Sequence, residues 1–209
     1  MPIYIEIFSG IIIAYLIGSI PTSVWLGRMF HGIDVREHGS GNAGATNTIR
    51  VLGLKTGIPV LIFDGLKGWF SIYLAHLVGG NHFENDAFIN YQIALGIAAF
   101  LGHVWPIFAG FRGGKGIATL AGVLIALFPY PFLVILGLFV IIFVITRYVS
   151  VGSILCSIAF PFIVIFIFNI HTPSLIIFSI VIAVFVPYTH KSNIKRLMKG
   201  EESKLRFKK

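Results

Sequence analysis

Cysteine and acidic residues are both scarce in this chain. Of its 209 residues, one is cysteine and eight are aspartate or glutamate. The single cysteine, Cys156, excludes an internal disulfide and a metal site built from several cysteines. Charged residues make up 11% of the chain, whereas average soluble domains contain roughly 25%. The sequence therefore lacks the polar surface that a soluble protein of this size needs.

Long apolar stretches take the place of the missing charge. The hydrophobic fraction is 56% and the mean hydropathy is +0.91. A bilayer core about 30 Å thick requires roughly 20 apolar residues per helix. Five stretches come close to or exceed this length, at residues 3–26, 58–79, 88–108, 152–170 and 174–188.

A further apolar stretch is interrupted by the sequence Pro129-Tyr130-Pro131. Because prolines break a helix, we predict a tight turn there between two short antiparallel segments, 117–128 and 132–146. These segments either span the membrane or form a re-entrant hairpin. The prediction is an all-α polytopic membrane protein with about seven transmembrane helices. It is a single domain, residues 1–209, with a flexible basic tail from about residue 200.

The basic residues are concentrated on one side of the predicted membrane. Fifteen of the 16 Lys and Arg residues follow the first, third, fifth and seventh segments, and the sixteenth, Lys67, lies within the second segment. The opposite connections carry no Lys or Arg. The positive-inside rule then places the N-terminus outside and the C-terminus in the cytoplasm. The net charge of +8 therefore indicates membrane orientation rather than nucleic-acid binding.

Two of the cytoplasmic connections combine glycine with hydroxyl, amide and cationic side chains. Residues 39–50 read GSGNAGATNTIR, and residues 111–116 read FRGGKG and precede an apolar helix. Glycines allow backbone N–H groups to converge on an anion, and a helix N-terminus adds its positive dipole end. Arg50, Arg112 and Lys115 supply full charges. The pattern predicts phosphate binding, and the alternative is that the glycines serve turns and close helix packing.

The remaining cytoplasmic connections are less distinctive. Residues 147–153, which include Ser150, fit either a membrane anchor followed by a helix cap or a functional segment. His190 and Asn193 have the i, i+3 spacing that places two side chains on one helical face. His103 lies near the cytoplasmic end of its segment, where an ionisable group is either functional or simply hydrogen-bonded.

Several catalytic arrangements are missing. Asp64 and Lys67, one turn apart in the second segment, are interpreted as a structural ion pair. The predicted cytoplasmic connections hold four acidic residues, with no pair at metal-ligand spacing and no Gly-x-Ser-x-Gly element. No histidine has an aspartate five residues later. We therefore expect no metal, no cofactor and no His-x4-Asp acyltransferase chemistry.

Taken in order, the motifs resemble those of the bacterial acyl-phosphate:glycerol-3-phosphate acyltransferases of the inner membrane. The resemblance rests on residues 39–50, on GHVWP at 102–106 with GGKGIAT at 113–119, on RYVSVGS at 147–153, and on His190 with Asn193. It covers essentially the whole chain. Arg112 departs from the pattern, because the family often has lysine there; it keeps the charge but presents a planar fork.

The resemblance implies a reaction and a location. The family transfers a fatty acyl group from acyl phosphate to the 1-hydroxyl of sn-glycerol 3-phosphate, giving lysophosphatidic acid and phosphate without a metal. This is the first acylation of phospholipid synthesis. The implied partners are glycerol 3-phosphate, acyl phosphate and membrane lipid, and no nucleic acid. The implied location is the bacterial inner membrane, with several membrane passes and an active site on the cytoplasmic face.

The resemblance also implies which residues bind the substrates. The catalytic set that would hold glycerol phosphate is Ser40, Arg50, Lys115, His190 and Asn193. The glycine-containing loops would hold the acyl phosphate and its developing charge. The predicted substrate-binding residues are Gly41, Asn42, Gly44, Thr46, Asn47, His103, Arg112, Gly113, Gly114, Gly116 and Ser150.

A transporter of a small phosphorylated or anionic solute is the main alternative. Such a protein is expected to place ionisable residues at mid-membrane and functional loops on both faces. Here the predicted outer connections are short and nearly featureless. A structural membrane scaffold would leave both Gly-rich loops unexplained. The sequence therefore favours the enzyme.

The predicted orientation is tested by labelling single cysteines from one side of the membrane. With Cys156 replaced by serine, cysteines at Glu84 and Ser203 are expected to react with an impermeant thiol reagent from opposite sides, because the cations lie on one face only. Reaction is measured in intact and permeabilised cells. Labelling of both positions from the same side would contradict the orientation.

Overall fold

The described part of the chain, residues 2–205 of a computed structural model, is built from ten α-helices. In chain order they are α1 Ile3–Gly18, α2 Thr22–His31, α3 Ala45–Leu52, α4 Leu54–Leu77, α5 Asn85–Val104, α6 Ile117–Leu127, α7 Pro129–Thr146, α8 Val149–Phe162, α9 Pro173–Thr189 and α10 Lys191–Met198. A π-helical segment, Ile163–Ile167, continues α8. The all-α prediction is confirmed.

Several of these helices have the length and apolarity of membrane spans. Within residues 2–205, five segments qualify: Ile3–His31, Leu54–Leu77, Asn85–Ala109, Pro129–Thr146 and Val149–Ile167. A sixth is present if α9 and α10, which are bent by 58°, count as one span. Helix α6 has 11 residues, fewer than the roughly 20 that a bilayer core requires. The predicted number of seven and the orientation of the termini stay predictions.

The predicted break between two helices is present, but it lies at Phe128, just before Pro129-Tyr130-Pro131, and its predicted position is wrong. Helix α6 ends at Leu127 and α7 begins at Pro129, so Phe128 alone separates them. All three residues of the Pro-Tyr-Pro sequence belong to the first turn of α7. There a backbone N–H has no helical acceptor, and the fixed φ of proline is already helical. The prolines therefore start a helix instead of forming the turn.

The chain divides into two compact units, described residues 2–127 and 128–205. In the first unit, glycines bring α4 and α6 into backbone contact. A Cβ at Gly68 would lie 1.9 Å from the carbonyl oxygen of Thr119, and a Cβ at Gly122 would lie 1.9 Å from that of Gly65. Small residues permit such close approach between apolar helices. The role of these helical glycines is therefore close helix packing.

The second unit has an aromatic core. Phe128 and Phe160 are each 1% exposed, and Phe178 is 5% exposed. The ring of Phe128 meets that of Phe160 edge-on at 5.1 Å and stacks near that of Phe178 at 6.5 Å. Both distances lie within the range of favourable aromatic pairs. Aromatic packing thus joins the start of α7 to α8 and α9.

Candidate active site

The first Gly-rich loop is closed by the side-chain amide of Asn47. Asn47 lies in α3 and is 1% exposed. Its Oδ1 accepts from the N–H (2.8 Å) and the hydroxyl (3.1 Å) of Ser40, and its Nδ2 donates to the carbonyls of Val35 (2.8 Å) and His38 (3.1 Å). Gly39 has a φ of +62°, and a Cβ there would lie 2.4 Å from Asn47 Oδ1. All four bonding positions of the amide are therefore used to brace the loop.

The second Gly-rich loop packs directly against His103. The N–H of Gly114 donates to the carbonyl of His103 at 3.2 Å. A Cβ at Gly113 would lie 2.0 Å from that carbonyl, and a Cβ at Gly114 would lie 2.2 Å from His103 Nε2. Only glycine fits, because the loop backbone itself contacts the histidine.

The two loops are neighbours within the first unit. A Cβ at Gly114 would lie 3.0 Å from the carbonyl oxygen of Ala43, which belongs to the first loop. Arg36 precedes the first loop, and its Nη1 donates to the carbonyls of Ala109 (2.7 Å) and Arg112 (3.1 Å). The structure therefore brings together the two Gly-rich stretches that the sequence predicts to act in one site.

His103 belongs to a buried polar network. Its Nδ1 lies 3.2 Å from Thr119 Oγ1 and 3.8 Å from Asp64 Oδ1. Asp64 pairs with Lys67 at 2.9 Å, and Lys67 Nζ also donates to the carbonyl of Ile20 at 3.0 Å. The predicted ion pair is confirmed. It also gives His103 a carboxylate neighbour on another helix, which the residues near His103 in the sequence do not indicate.

In the second unit, polar residues of the third and fourth connections converge on Glu202. Its Oε1 accepts from the hydroxyl of Ser150 (2.9 Å) and the amide of Asn193, and its Oε2 accepts from Arg196 Nε (2.7 Å). Burial raises the pKa of Glu202, but the hydrogen bonds from Asn193, Arg196 and Ser150 outweigh it and leave the pKa below its ordinary value. A charged carboxylate thus joins α8 to α10.

His190 lies between α9 and α10 and is 3% exposed. Its Nδ1 is 2.9 Å from the carbonyl oxygen of Val186 and 3.3 Å from Thr189 Oγ1. Because a carbonyl only accepts, Nδ1 carries a proton, and in the neutral ring Nε2 is the acceptor. His190 therefore has a defined tautomer when it is neutral.

The described part of the tail is held at two points. The first point is Glu202, which bonds α8 and α10. The second is Leu205, whose N–H donates to the carbonyl of Arg147 at 3.0 Å. Arg147 ends α7 with a left-handed φ of +62°. The flexibility of the tail from about residue 200 stays a prediction, and residues 206–209 lie outside the described part of the chain.

The predicted site residues fall into two groups, one in each unit. In the first unit Ser40 is exposed, whereas Arg50 and Lys115 are half-buried. The other predicted residues of this unit are Gly41, Asn42, Gly44, Thr46, Asn47, His103, Arg112, Gly113, Gly114 and Gly116. The second unit contains Ser150, His190 and Asn193, all buried. Their roles toward substrates stay predictions.

Sequence reasoning missed two acidic residues, Asp34 and Glu202, that organise these groups. Asp34 accepts hydrogen bonds from Arg28 (2.9 Å) and Arg36 (2.7 Å), and Glu202 collects its three donors. The sequence does contain an indication of their role, because only four acidic residues lie in predicted loops that are rich in Lys and Arg. A carboxylate in such surroundings is expected to pair, and such pairing orders the loop around it.

The chemical character of the first-unit loops suits an anion. Backbone N–H groups of glycine-containing turns form anion-binding concavities, and guanidinium and ammonium groups add charge-assisted hydrogen bonds. Arg50, Arg112 and Lys115 supply those cations. Across residues 2–205, no three His, Cys, Asp or Glu side chains are grouped so as to hold a metal ion.

These features define an α-helical integral membrane protein with a polar, cationic loop region. The chain belongs to the glycerol-3-phosphate acyltransferase family, whose sequence profile matches residues 8–200. A glycerol-3-phosphate acyltransferase of Fusobacterium nucleatum is 45% identical over 201 residues, covering 96% of this chain and 98% of that protein. One from Chlorobaculum parvum is 44% identical over 223 residues, covering 94% and 95%.

Two crystal structures share the fold. Both are of PlsY (YgiH), described as an integral membrane glycerol 3-phosphate acyltransferase. The glycerol 3-phosphate form matches with a TM-score of 0.84 and 35% identity over 96% of each chain. The lysophosphatidic acid form matches with a TM-score of 0.80 and 35% identity, covering 96% of this chain and 95% of that one. The family resemblance is confirmed, and the transporter alternative gains no support.

Glu202→Gln is expected to destabilise the second unit. Hydrogen bonds to a charged group are worth about 1.5–3 kcal/mol each, so losing the charge should cost roughly 2–4 kcal/mol. The pKa of Glu202 is lowered, so its stabilisation is complete above the ordinary glutamate pKa of about 4.3 and is lost as pH falls through the folded-state pKa. The stability difference from wild type, measured by thermal unfolding in detergent, should shrink with acidification below that range.

Glu201→Gln is the matched control. Glu201 is adjacent and exposed, and substitutions at such positions usually change stability by less than about 0.5 kcal/mol. Equal destabilisation by the two substitutions would contradict the role assigned to Glu202.

Proposed function

We propose that this protein transfers a fatty acyl group from acyl phosphate to the 1-hydroxyl of sn-glycerol 3-phosphate, giving lysophosphatidic acid and inorganic phosphate. The supporting observation is the match to PlsY over 96% of the chain. That protein is described in a glycerol 3-phosphate form and a lysophosphatidic acid form, which are the acceptor and the product of this reaction. Acyl phosphate as the donor follows from the motif resemblance.

Glycerol 3-phosphate is held by the five residues that the motif resemblance assigns to it. Arg50 and Lys115 neutralise the phosphate, and charge-assisted hydrogen bonds to phosphate are stronger than neutral ones. Ser40 contributes its exposed hydroxyl. His190 and Asn193 complete the set and orient the glycerol, with His190 Nε2 accepting from a hydroxyl when the ring is neutral.

Acyl phosphate is held by the glycine-containing loops, 41–46 and 113–116. Their backbone N–H groups are positioned before the substrate arrives, because Asn47 braces the first loop and His103 supports the second. Donors fixed in advance stabilise developing negative charge without reorganising during the reaction. The loops therefore bind the donor and stabilise its transition state.

The reaction requires mainly positioning. The 1-hydroxyl oxygen attacks the carbonyl carbon of the mixed anhydride, a C–O ester bond forms, and the carbonyl carbon separates from the bridging phosphate oxygen. Phosphate leaves with the electron pair, and the hydroxyl proton passes to a phosphate oxygen. The anhydride is already activated, so holding the hydroxyl about 3 Å from the carbonyl and neutralising the leaving phosphate supply most of the rate.

The family resemblance favours a phosphate oxygen of the substrates as the proton acceptor, and the burial of His103 agrees with this. His103 is 6% exposed, with Thr119 on one side of its ring and Gly114 on the other. His190 donates from Nδ1 to Val186, and the role proposed for its Nε2 is to orient the glycerol. The transfer is therefore direct, through a ternary complex, with no acyl-enzyme and no metal.

The site faces the cytoplasm at the edge of the bacterial inner membrane. A soluble acceptor and a lipid donor meet only at a membrane surface, and the cationic connections place that surface inside the cell. The protein is a single multi-pass domain that contacts membrane lipid.

The proposal is tested with purified protein in detergent or nanodiscs. Lysophosphatidic acid should form from glycerol 3-phosphate and palmitoyl phosphate, in the presence of EDTA, with intersecting initial-rate lines and negligible use of palmitoyl-CoA. Product is quantified by mass spectrometry. No product from palmitoyl phosphate would overturn the function, and full activity with palmitoyl-CoA would overturn the donor. A trapped acyl-enzyme or parallel lines would refute direct transfer.

Arg50→Ala and Lys115→Ala are each expected to reduce kcat/KM for glycerol 3-phosphate by about 10- to 150-fold. This range corresponds to losing a charge-assisted hydrogen bond worth about 1.5–3 kcal/mol. Lys191→Ala should be nearly silent, because Lys191 is exposed and lies 5.1 Å from the Tyr188 ring, as a lipid-facing anchor would. Similar losses in all three variants would mean that the phosphate ligands are wrongly assigned.

A further inference from the structure

Arg36 forms hydrogen bonds through two edges of its guanidinium group, one toward Asp34 and one toward the second Gly-rich loop. Its Nε and Nη2 donate to the carboxylate of Asp34 at 3.0 and 2.7 Å. Its Nη1 donates to the carbonyl of Ala109 (2.7 Å), two residues before the second loop, and to that of Arg112 (3.1 Å), the second residue of that loop. The side chain is 12% exposed. One guanidinium therefore links the segment just before the first loop to the start of the second loop.

Asp34 fixes the orientation of this guanidinium. The Asp34 side chain is 8% exposed and also accepts from the backbone N–H of Arg36 at 3.0 Å. The hydrogen bond from Arg36 holds the pKa of Asp34 well below its usual range, so the carboxylate stays charged. Because arginine does not lose its proton, the pair keeps one geometry, and the remaining donor of the fork points at the second loop.

The segment that Arg36 holds contains an unfavourable backbone conformation. Gly110 and Phe111 lie between the two accepting carbonyls, with φ values of +62° and +58°. A left-handed conformation is uncommon for a bulky side chain and persists only where the surroundings impose it. Arg36 helps to hold it by bonding the carbonyls of Ala109 and Arg112 on either side. Arg112 lies two residues before Gly114 and three before Lys115.

We propose that Arg36 is a positioning residue that holds the Gly113–Gly116 turn and Lys115 in register with the first Gly-rich loop. The inference rests on the proposed function, in which the two loops bind the reacting groups. Arg36 donates to protein carbonyls and to Asp34, and in this proposal it contacts neither substrate. Loss of its tether leaves the phosphate ligands present but displaces one loop relative to the other, and displacement by about 1 Å can cost on the order of 100-fold in rate.

Arg28 offers a matched control. It also bonds the Asp34 carboxylate, at 2.9 Å, but its side chain is 62% exposed, and no bond to the second loop is seen. Arg36→Gln should lower kcat by about 10- to 100-fold while KM for glycerol 3-phosphate changes less than about threefold. Arg28→Gln should retain kcat within about twofold. Arg36→Lys should not restore kcat, because an ammonium cannot present the planar fork.

A spin label gives a readout that does not depend on activity. Ile107 is 48% exposed and lies two residues before Ala109; a label at Ile107→Cys in a Cys156→Ser background reports the mobility of this segment. Arg36→Gln should increase that mobility in monodisperse protein, and Arg28→Gln should not. If Arg36→Gln cannot be purified folded, Arg36→Lys is judged by the same criteria.

Each outcome decides the proposal. Unchanged label mobility, or equal effects of the Arg36 and Arg28 substitutions, overturns the tether. A raised KM with unchanged kcat also overturns it, because Arg36 would then be a substrate ligand. If the wild-type protein forms no lysophosphatidic acid, the proposed function fails, while the mobility measurement still tests the tether alone.

Discussion

Three buried carboxylates hold together the polar parts of this protein. Asp34, Asp64 and Glu202 have side chains that are 8%, 2% and 7% exposed, and each accepts from at least two other side chains. In surroundings this apolar, a buried charge is tolerated only when it is paired and hydrogen-bonded. Each of these carboxylates therefore fixes the positions of the donor side chains around it.

The first-unit loops follow from this constraint together with glycine. Glycine lets the loop backbone lie directly on His103 and on the Asn47 amide, and the bonded network beneath keeps that backbone in place. The result is a pair of loops whose N–H groups and cations are arranged before a ligand binds. In the reaction proposed above, the activated acyl donor needs little more than this, so few acidic side chains are required for the transfer.

Features that depend on composition or on short spacing were predictable. The all-α membrane fold, the Gly-rich loops and the family follow from apolar length, cation distribution and contiguous motifs. The Asp64–Lys67 pair was also predictable, because i, i+3 spacing on a helix brings two side chains together. The Pro-Tyr-Pro sequence was misread, since proline is compatible with both a turn and the first turn of a helix, and only its neighbours decide.

The sequence by itself determined the class of protein, its family and the set of polar residues available for chemistry. Tertiary structure alone decided which of them support others: Asn47 and His103 as loop supports, Arg36 as the link between loops, and Glu202 as the acceptor for Ser150, Asn193 and Arg196. The physical reason is that these partners lie on different elements. Their hydrogen bonds depend on burial and on how helices pack, and neither can be read from the spacing of residues along one chain.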